Sequence, residues 1–175
     1  MRSFIAIDFD IETKKLLYQK AKQKLDSYCT SYKIIDATNI HMTIHFLGEI
    51  DGDDMLIKSR LVKQIGSAKK FSIIISGWGY FPSKSGSIIW LGIKENNELF
   101  SIANKIRKEF HDINYEIRPF LPHITVSRYA KCIKNADDWV NYDDVVIDVG
   151  KISLMRTDFI NNKVRYTEIC SCKLK

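Results

Sequence analysis

No apolar run in this 175-residue chain approaches the ~20 residues needed to cross a bilayer, and the longest, around Ile73-Ile74-Ile75, ends at Ser76. A membrane span is therefore not expected. Near the N-terminus, Phe4-Ile5-Ala6-Ile7 is cut by Asp8 and Asp10 with no small-residue cleavage pattern behind it, so no signal peptide is read and a cytoplasmic location is expected. Prolines number 3 and glycines 8, far too few for a collagenous or disordered chain. The four cysteines, Cys29, Cys132, Cys170 and Cys172, have neither CxxC spacing nor a histidine cluster beside them. Reduced structural thiols are expected, rather than a disulfide framework or a zinc site, and no metal or other cofactor is anticipated.

What is present suffices for an ordinary core: 45% of residues are hydrophobic and 11% aromatic, which at this length predicts one domain spanning 1–175. Lys and Arg total 27 against 21 acidic residues, a formal charge of +6. Twenty of those basic residues are lysines spread along the chain, so the charge permits an RNA partner without diagnosing one, since solubility explains it equally well.

Arg2 to Phe9 alternates like a strand, and Asp10 then offers an N-cap oxygen to a helix carrying Ile11, Leu17, Ala21, Leu25 and Tyr28 near the helical period. A second strand is predicted over about Asn39–Leu47, and the acidic cluster Asp51–Asp54 is expected to open a helix with Ile57, Leu61 and Ile65. Strands are read at Phe71–Ser76 and Ser87–Ile93, separated by a turn-rich link holding Gly77, Gly79, Pro82 and Gly86. Leu99, Ala103, Ile106 and Phe110 mark a third helix. Pro119 and Pro122 stiffen the approach to a strand at His123–Ser127, because Pro seldom sits inside a central strand. Val145–Met155 and Lys163–Cys172 complete the strands, the latter preceded by an Asn161-Asn162 turn. This mixture of βα steps and strand runs predicts an α+β fold with antiparallel sheets.

One pattern recurs. His41-Met42-Thr43-Ile44 and His123-Ile124-Thr125-Val126 share His-x-Thr-aliphatic, nearly half the chain apart, and use two of the four histidines. On a strand, residues i and i+2 leave the same face ~6–7 Å apart, so each motif aims an imidazole and a hydroxyl into one space. A single His-x-Thr is an ordinary strand accident; a repeated one suggests two pseudo-symmetric halves facing a groove, with paired proton carriers and paired phosphate donors. Zinc is the rival for the segment His41 to His45, but residues four apart on an extended strand lie ~13 Å apart, too far for one ion without a bulge. His45 is expected at the groove's edge.

These residues resemble the 2H phosphoesterase superfamily, defined by paired His-x-Thr/Ser motifs, and in particular its LigT-like RNA 2′,3′-cyclic phosphodiesterases, also known as 2′-5′ RNA ligases. The likeness extends over Arg2–Ile7, Asn39–Glu49, Gly79–Pro82 with Ile89–Gly92, and most specifically Arg118–Arg128. It implies a bilobal, pseudo-twofold α+β fold with antiparallel sheets flanked by helices around a central groove, and a metal-independent enzyme. His41 and His123 then match the catalytic histidines, and Thr43 and Thr125 the phosphate donors. Arg128 matches a basic residue that looks like a phosphate ligand in relatives; regular alternation would send it to the opposite face from His123, so the strand must end or bulge before it. Asp10 departs from the Pro that relatives often carry after the first strand, which bears on the helix start rather than the chemistry.

The implied reaction is hydrolysis of RNA 2′,3′-cyclic phosphate ends to 2′-phosphomonoesters. One histidine takes a proton from water and the other gives one to the leaving ribose oxygen, while pseudo-symmetry leaves open which does which. Trp90, Tyr80, Phe81 and Tyr129 are candidates to stack an exposed base, although rings of this kind also fill cores. Two other classes stay open: 2′-5′ ligation by the same histidines, and a non-catalytic nucleotide- or RNA-binding module of the same fold. An RNA or oligonucleotide with a cyclic end is the expected partner, with no membrane and no obligate protein partner, and a monomer is expected.

Overall fold

The computed structural model describes residues 2–50, 54–114, 118–140 and 144–175. Strand β1 (Arg2–Asp8) leads to helix α1 (Ile11–Tyr28), β2 (Cys29–Ile34), a 3-10 turn over Ala37–Asn39 and β3 (His41–Glu49). Helix α2 (Asp54–Ile65), β4 (Phe71–Phe81), β5 (Ser87–Ile93), α3 (Asn97–Glu109) and β6 (His123–Cys132) follow, then β7 (Val145–Val149), β8 (Lys151–Ile160) and β9 (Lys163–Lys173). Of the predicted acidic helix start, positions 51–53 lie outside the described residues.

The strands form two antiparallel sheets, ordered β3-β1-β8-β9 and β2-β6-β5-β4-β7. Helix α1 packs on β2 and β6, whereas α2 and α3 pack together and reach β9 and β3, so each sheet has its own helical backing. Strands β3 and β6 approach one another between the sheets. α1 starts where the sequence predicts, with the Asp10 carboxylate accepting the Thr13 N–H at 2.8 Å, and it buries Leu17, Ala21 and Leu25. Asn96 caps α3 in the same manner through Leu99 N–H, at 2.8 Å.

Both faces of β1 are buried. Ile5 and Ile7 join the main core with Leu17, Leu61, Leu91 and Phe110, while Phe4 and Ala6 form a smaller cluster with Met155 and half-buried Tyr166. That smaller cluster is the floor of the four-stranded sheet on the side that the helices do not cover.

Several expectations change. Strand β4 runs straight through the presumed turn region: Gly77, at φ +80°, lies at a register shift between Ile75 and Trp78, and Gly79 pairs with Trp90. A Cβ on Gly79 would fall 2.2 Å from the Trp90 indole, so this glycine makes room for a ring crossing the strand. The predicted strand Val145–Met155 is two strands in different sheets, β7 on β4 and β8 on β1, parted at Gly150. An unbroken apolar stretch cannot reveal that the chain changes sheets midway. Strand β2 carries no sequence signal, because it is a short edge strand of mostly polar residues, none of them buried.

The thiol reading is corrected as well. Pairing of β2 with β6 sets Cys29 opposite Cys132, and the two form a disulfide closing 103 residues of chain. Cys170 and Cys172 remain free thiols. Sequence spacing alone does not disclose a partner brought across by sheet pairing.

Candidate functional site

The two His-x-Thr motifs open β3 and β6, where these strands face each other, and all four side chains line one cavity of about 510 Å³. Each imidazole is held by the backbone that precedes it. His41 Nδ1 lies 2.7 Å from the Asn39 carbonyl oxygen and His123 Nδ1 lies 2.8 Å from that of Leu121. A carbonyl only accepts, so Nδ1 carries the proton in both rings and both Nε2 atoms are left with their lone pairs when neutral. The Thr43 hydroxyl then donates to His41 Nε2 at 3.0 Å.

Aromatic walls fix the rings. His41 sits between Phe4, with centroids 4.9 Å apart, and the edge of Tyr166, at 4.8 Å. His123 meets the edge of Phe81 at 5.2 Å and tilts against Trp90 at 5.8 Å. Burial pushes the His41 pKa down to about 4; the Asn39 hydrogen bond and the charge of Asp8 pull it up, while Lys14 and His123 push it further down. His123 is lowered too, chiefly by burial, against the upward pull of the Leu121 bond. Both rings are therefore neutral near pH 7 in the open cavity.

A bulge in each strand completes the site. Ile44 is the extra residue between the pairs Thr43–Ala6 and His45–Ile5, and Val126 the extra residue between Thr125–Trp90 and Ser127–Ile89. An inserted residue reverses the alternation beyond it. Ile44 and His45 are consequently both buried, as are Val126 and Ser127, and Phe46 and Arg128 turn back to the cavity. The bulge that Arg128 required is thus present. His45, by contrast, is not at the groove's edge: the same device rotates it into the interior.

Among the aromatic candidates, Tyr129 lines the cavity, whereas Trp90 and Phe81 pack about His123 and Tyr80 packs against the main core. Sequence reading missed Arg2, Phe4 and Asn39 from the first half, and Thr157, Phe159, Val164 and Tyr166 from the β8–β9 hairpin. Phe46 was also missed, although its place after the first motif equals that of Arg128 after the second. No signal marked the hairpin, whose cavity face is set by β8–β9 register.

Asn39 ties these parts together. Its side chain donates to the Val164 carbonyl at 2.8 Å and accepts from Tyr166 N–H at 3.1 Å, while its own carbonyl holds His41. Behind it, the ammonium of Lys14 pairs with Asp8 at 2.6 Å and donates to the Thr38 carbonyl at 2.9 Å, fastening α1 to the 3-10 turn. Among the described residues lining the cavity there are two arginines, Arg2 and Arg128, and two histidines, but no carboxylate. The chamber is chemically suited to an anion.

Comparison with known proteins agrees with this geometry. The sequence profile of the 2′-5′ RNA ligase superfamily matches residues 19–159. A Thermotoga maritima protein named RNA 2′,3′-cyclic phosphodiesterase is 33% identical over 132 residues, covering 73% of this chain and 70% of its own. A Methanothermobacter thermautotrophicus protein of the same name is 27% identical, covering 97% and 96%. The crystal structure of E. coli LigT complexed with NADP+ superimposes with a TM-score of 0.75 at 25% identity, covering 99% of this chain and 96% of that one. With paired motifs, fold and profile in agreement over most of its length, the chain belongs to the 2′-5′ RNA ligase superfamily.

Proposed function

We propose that this chain hydrolyses the 2′,3′-cyclic phosphate at RNA ends, leaving a 2′-phosphomonoester. The observation that carries the reading is a cavity, with no carboxylate among its described lining residues, into which two carbonyl-anchored imidazoles, two threonine hydroxyls and Arg128 converge. Two relatives named for this activity support it.

A cyclic phosphate is a monoanionic diester, and in-line attack by water adds charge to its phosphoryl oxygens as one ribose oxygen departs opposite. One imidazole, neutral at Nε2, takes the proton from the attacking water. The other, protonated at Nε2, passes that proton to the departing 3′ oxygen, so a P–O bond forms, another breaks and no net proton is consumed at the site. Each transfer is typically worth 10²- to 10⁴-fold. Thr43, Thr125 and Arg128 stabilise the developing charge. Bound substrate favours protonation of one ring from solvent, since an anion between the rings raises their pKa values toward neutrality. A bell-shaped pH dependence of turnover follows, with two apparent values belonging to the pair.

The test is an oligonucleotide ending in a 2′,3′-cyclic phosphate, incubated with the protein in EDTA, and the product isomer identified by chromatography and mass. A 2′-monoester is expected. Longer product without hydrolysis would indicate ligation, and no turnover would indicate a binding module; either outcome overturns the reading.

A further inference from the structure

We infer that the tip of the β8–β9 hairpin is a platform for the nucleobase of the terminal nucleotide, a role that deepens the proposed function and rests on it. Phe159 and Val164 are register partners across the hairpin and both line the cavity. They are apolar yet 73% and 40% exposed, an outlay of water-facing surface that core packing does not explain. One pair further in on the same face stand Thr157 and Tyr166, and the edge of Tyr166 touches His41. A two-residue step along a strand is ~6–7 Å, so the platform begins about one ribose away from the reacting centre. A base attached to a ribose whose cyclic phosphate lies between the histidines arrives there.

The platform is pre-set. Asn161 and Asn162, both at positive φ, close the hairpin tightly, and ladder pairing continues to Ile160 and Lys163. The Asn39 side chain holds β9 on either side of Arg165, and its carbonyl holds His41, so platform and imidazole belong to one fastened unit. Charge is diverted to the reverse face, where Asp158 engages Arg156 at 3.0 Å and Thr167 at 2.8 Å. Phe159 and Val164 offer no hydrogen-bonding group to a base edge. Recognition by stacking alone accepts purines and pyrimidines alike. The occupant is a nucleobase rather than another apolar surface because this patch is continuous with a cavity holding Arg2 and Arg128 and no described carboxylate.

The experiment measures binding of adenosine 2′-monophosphate, uridine 2′-monophosphate and inorganic phosphate to the wild-type chain and to Phe159→Ala. Stacking on one ring predicts that both nucleotides weaken by about five- to a hundredfold while inorganic phosphate binds unchanged. Because Phe159 lies on the surface, the variant keeps its fold, which circular dichroism verifies. Equal nucleotide affinities in the two proteins would overturn the inference, as would an equal loss for inorganic phosphate, which would place the ring's action at the anion site. A deficit confined to adenosine would overturn its indifference to base. Binding needs no turnover, so a wild-type chain that binds these nucleotides but fails on the cyclic substrate would refute the proposed hydrolysis and leave the platform standing.

Discussion

Strands β3 and β6 carry the same motif, the same bulge and the same Nδ1–carbonyl anchor, yet their surroundings differ. His41 stands on an edge strand, its Nε2 capped by Thr43, its ring enclosed by Phe4 and Tyr166, its anchor residue strapped to β9. His123 stands on an interior strand whose far end is held by a disulfide, and its ring meets Phe81 and Trp90 instead. After the bulges, one half presents Phe46 and the other Arg128. The repeated part brings a His and a Thr from each half to one cavity; the unrepeated part sets a ring, Phe46, beyond one bulge and a charge, Arg128, beyond the other. Symmetry of backbone therefore does not require symmetry of role.

The sharpest way to probe that division is to remove each imidazole in turn. His41→Ala and His123→Ala are each expected to lower kcat by 10²- to 10⁴-fold in steady-state assays on a cyclic-ended oligonucleotide, because neither half works alone. Retention of near-normal turnover by either variant would break the pairing. Next in size, Arg128→Ala should cost about a hundredfold in kcat/KM by losing a donor to developing charge. Phe46→Ala, at the equivalent bulge position, should cost under tenfold, and equal losses would erase the distinction between halves.

A smaller effect concerns stability. The folded-state pKa of His41 lies near 4, below the ~6.5 of an unfolded imidazole, so the unfolded chain binds the extra proton. The stabilisation due to neutral burial is complete above pH 6.5 and is lost as pH falls toward 4. Denaturant titrations across this window should show a decline of about 2 kcal/mol attributable to His41, allowing for partial exposure of its ring, and His41→Gln should flatten it. The smallest catalytic effect is expected at the disulfide. Cys29→Ser removes a cross-link that in loop-closure terms is worth roughly 2–5 kcal/mol to the fold, but it lies at the opposite end of β6 from His123. Melting temperature should fall and kcat should stay within about twofold.

The motifs were legible because strand alternation converts i and i+2 spacing directly into geometry, and Arg128 was recoverable because its family position conflicted with alternation unless a bulge intervened. His45 departs from simple alternation for the same physical reason: the bulge at Ile44 turns it from the cavity face into the interior. The Cys29–Cys132 bond and strand β2 escaped notice because both depend on a pairing between segments far apart in sequence. Phe159, Val164 and Tyr166 reach the cavity through register with β8 and through Asn39, long-range relations that composition and periodicity do not encode.

The strap from Asn39 to β9 also has a bearing on biosynthesis. A ribosome delivers residues 163–166 long after residues 39–41, so a nascent chain halted before the last hairpin has both histidines but lacks the fastening that orients the first. The first imidazole is thus fully oriented only once residues 163–166 have been made and paired, so the geometry of the earlier half of the site depends on a strand synthesised more than a hundred residues later.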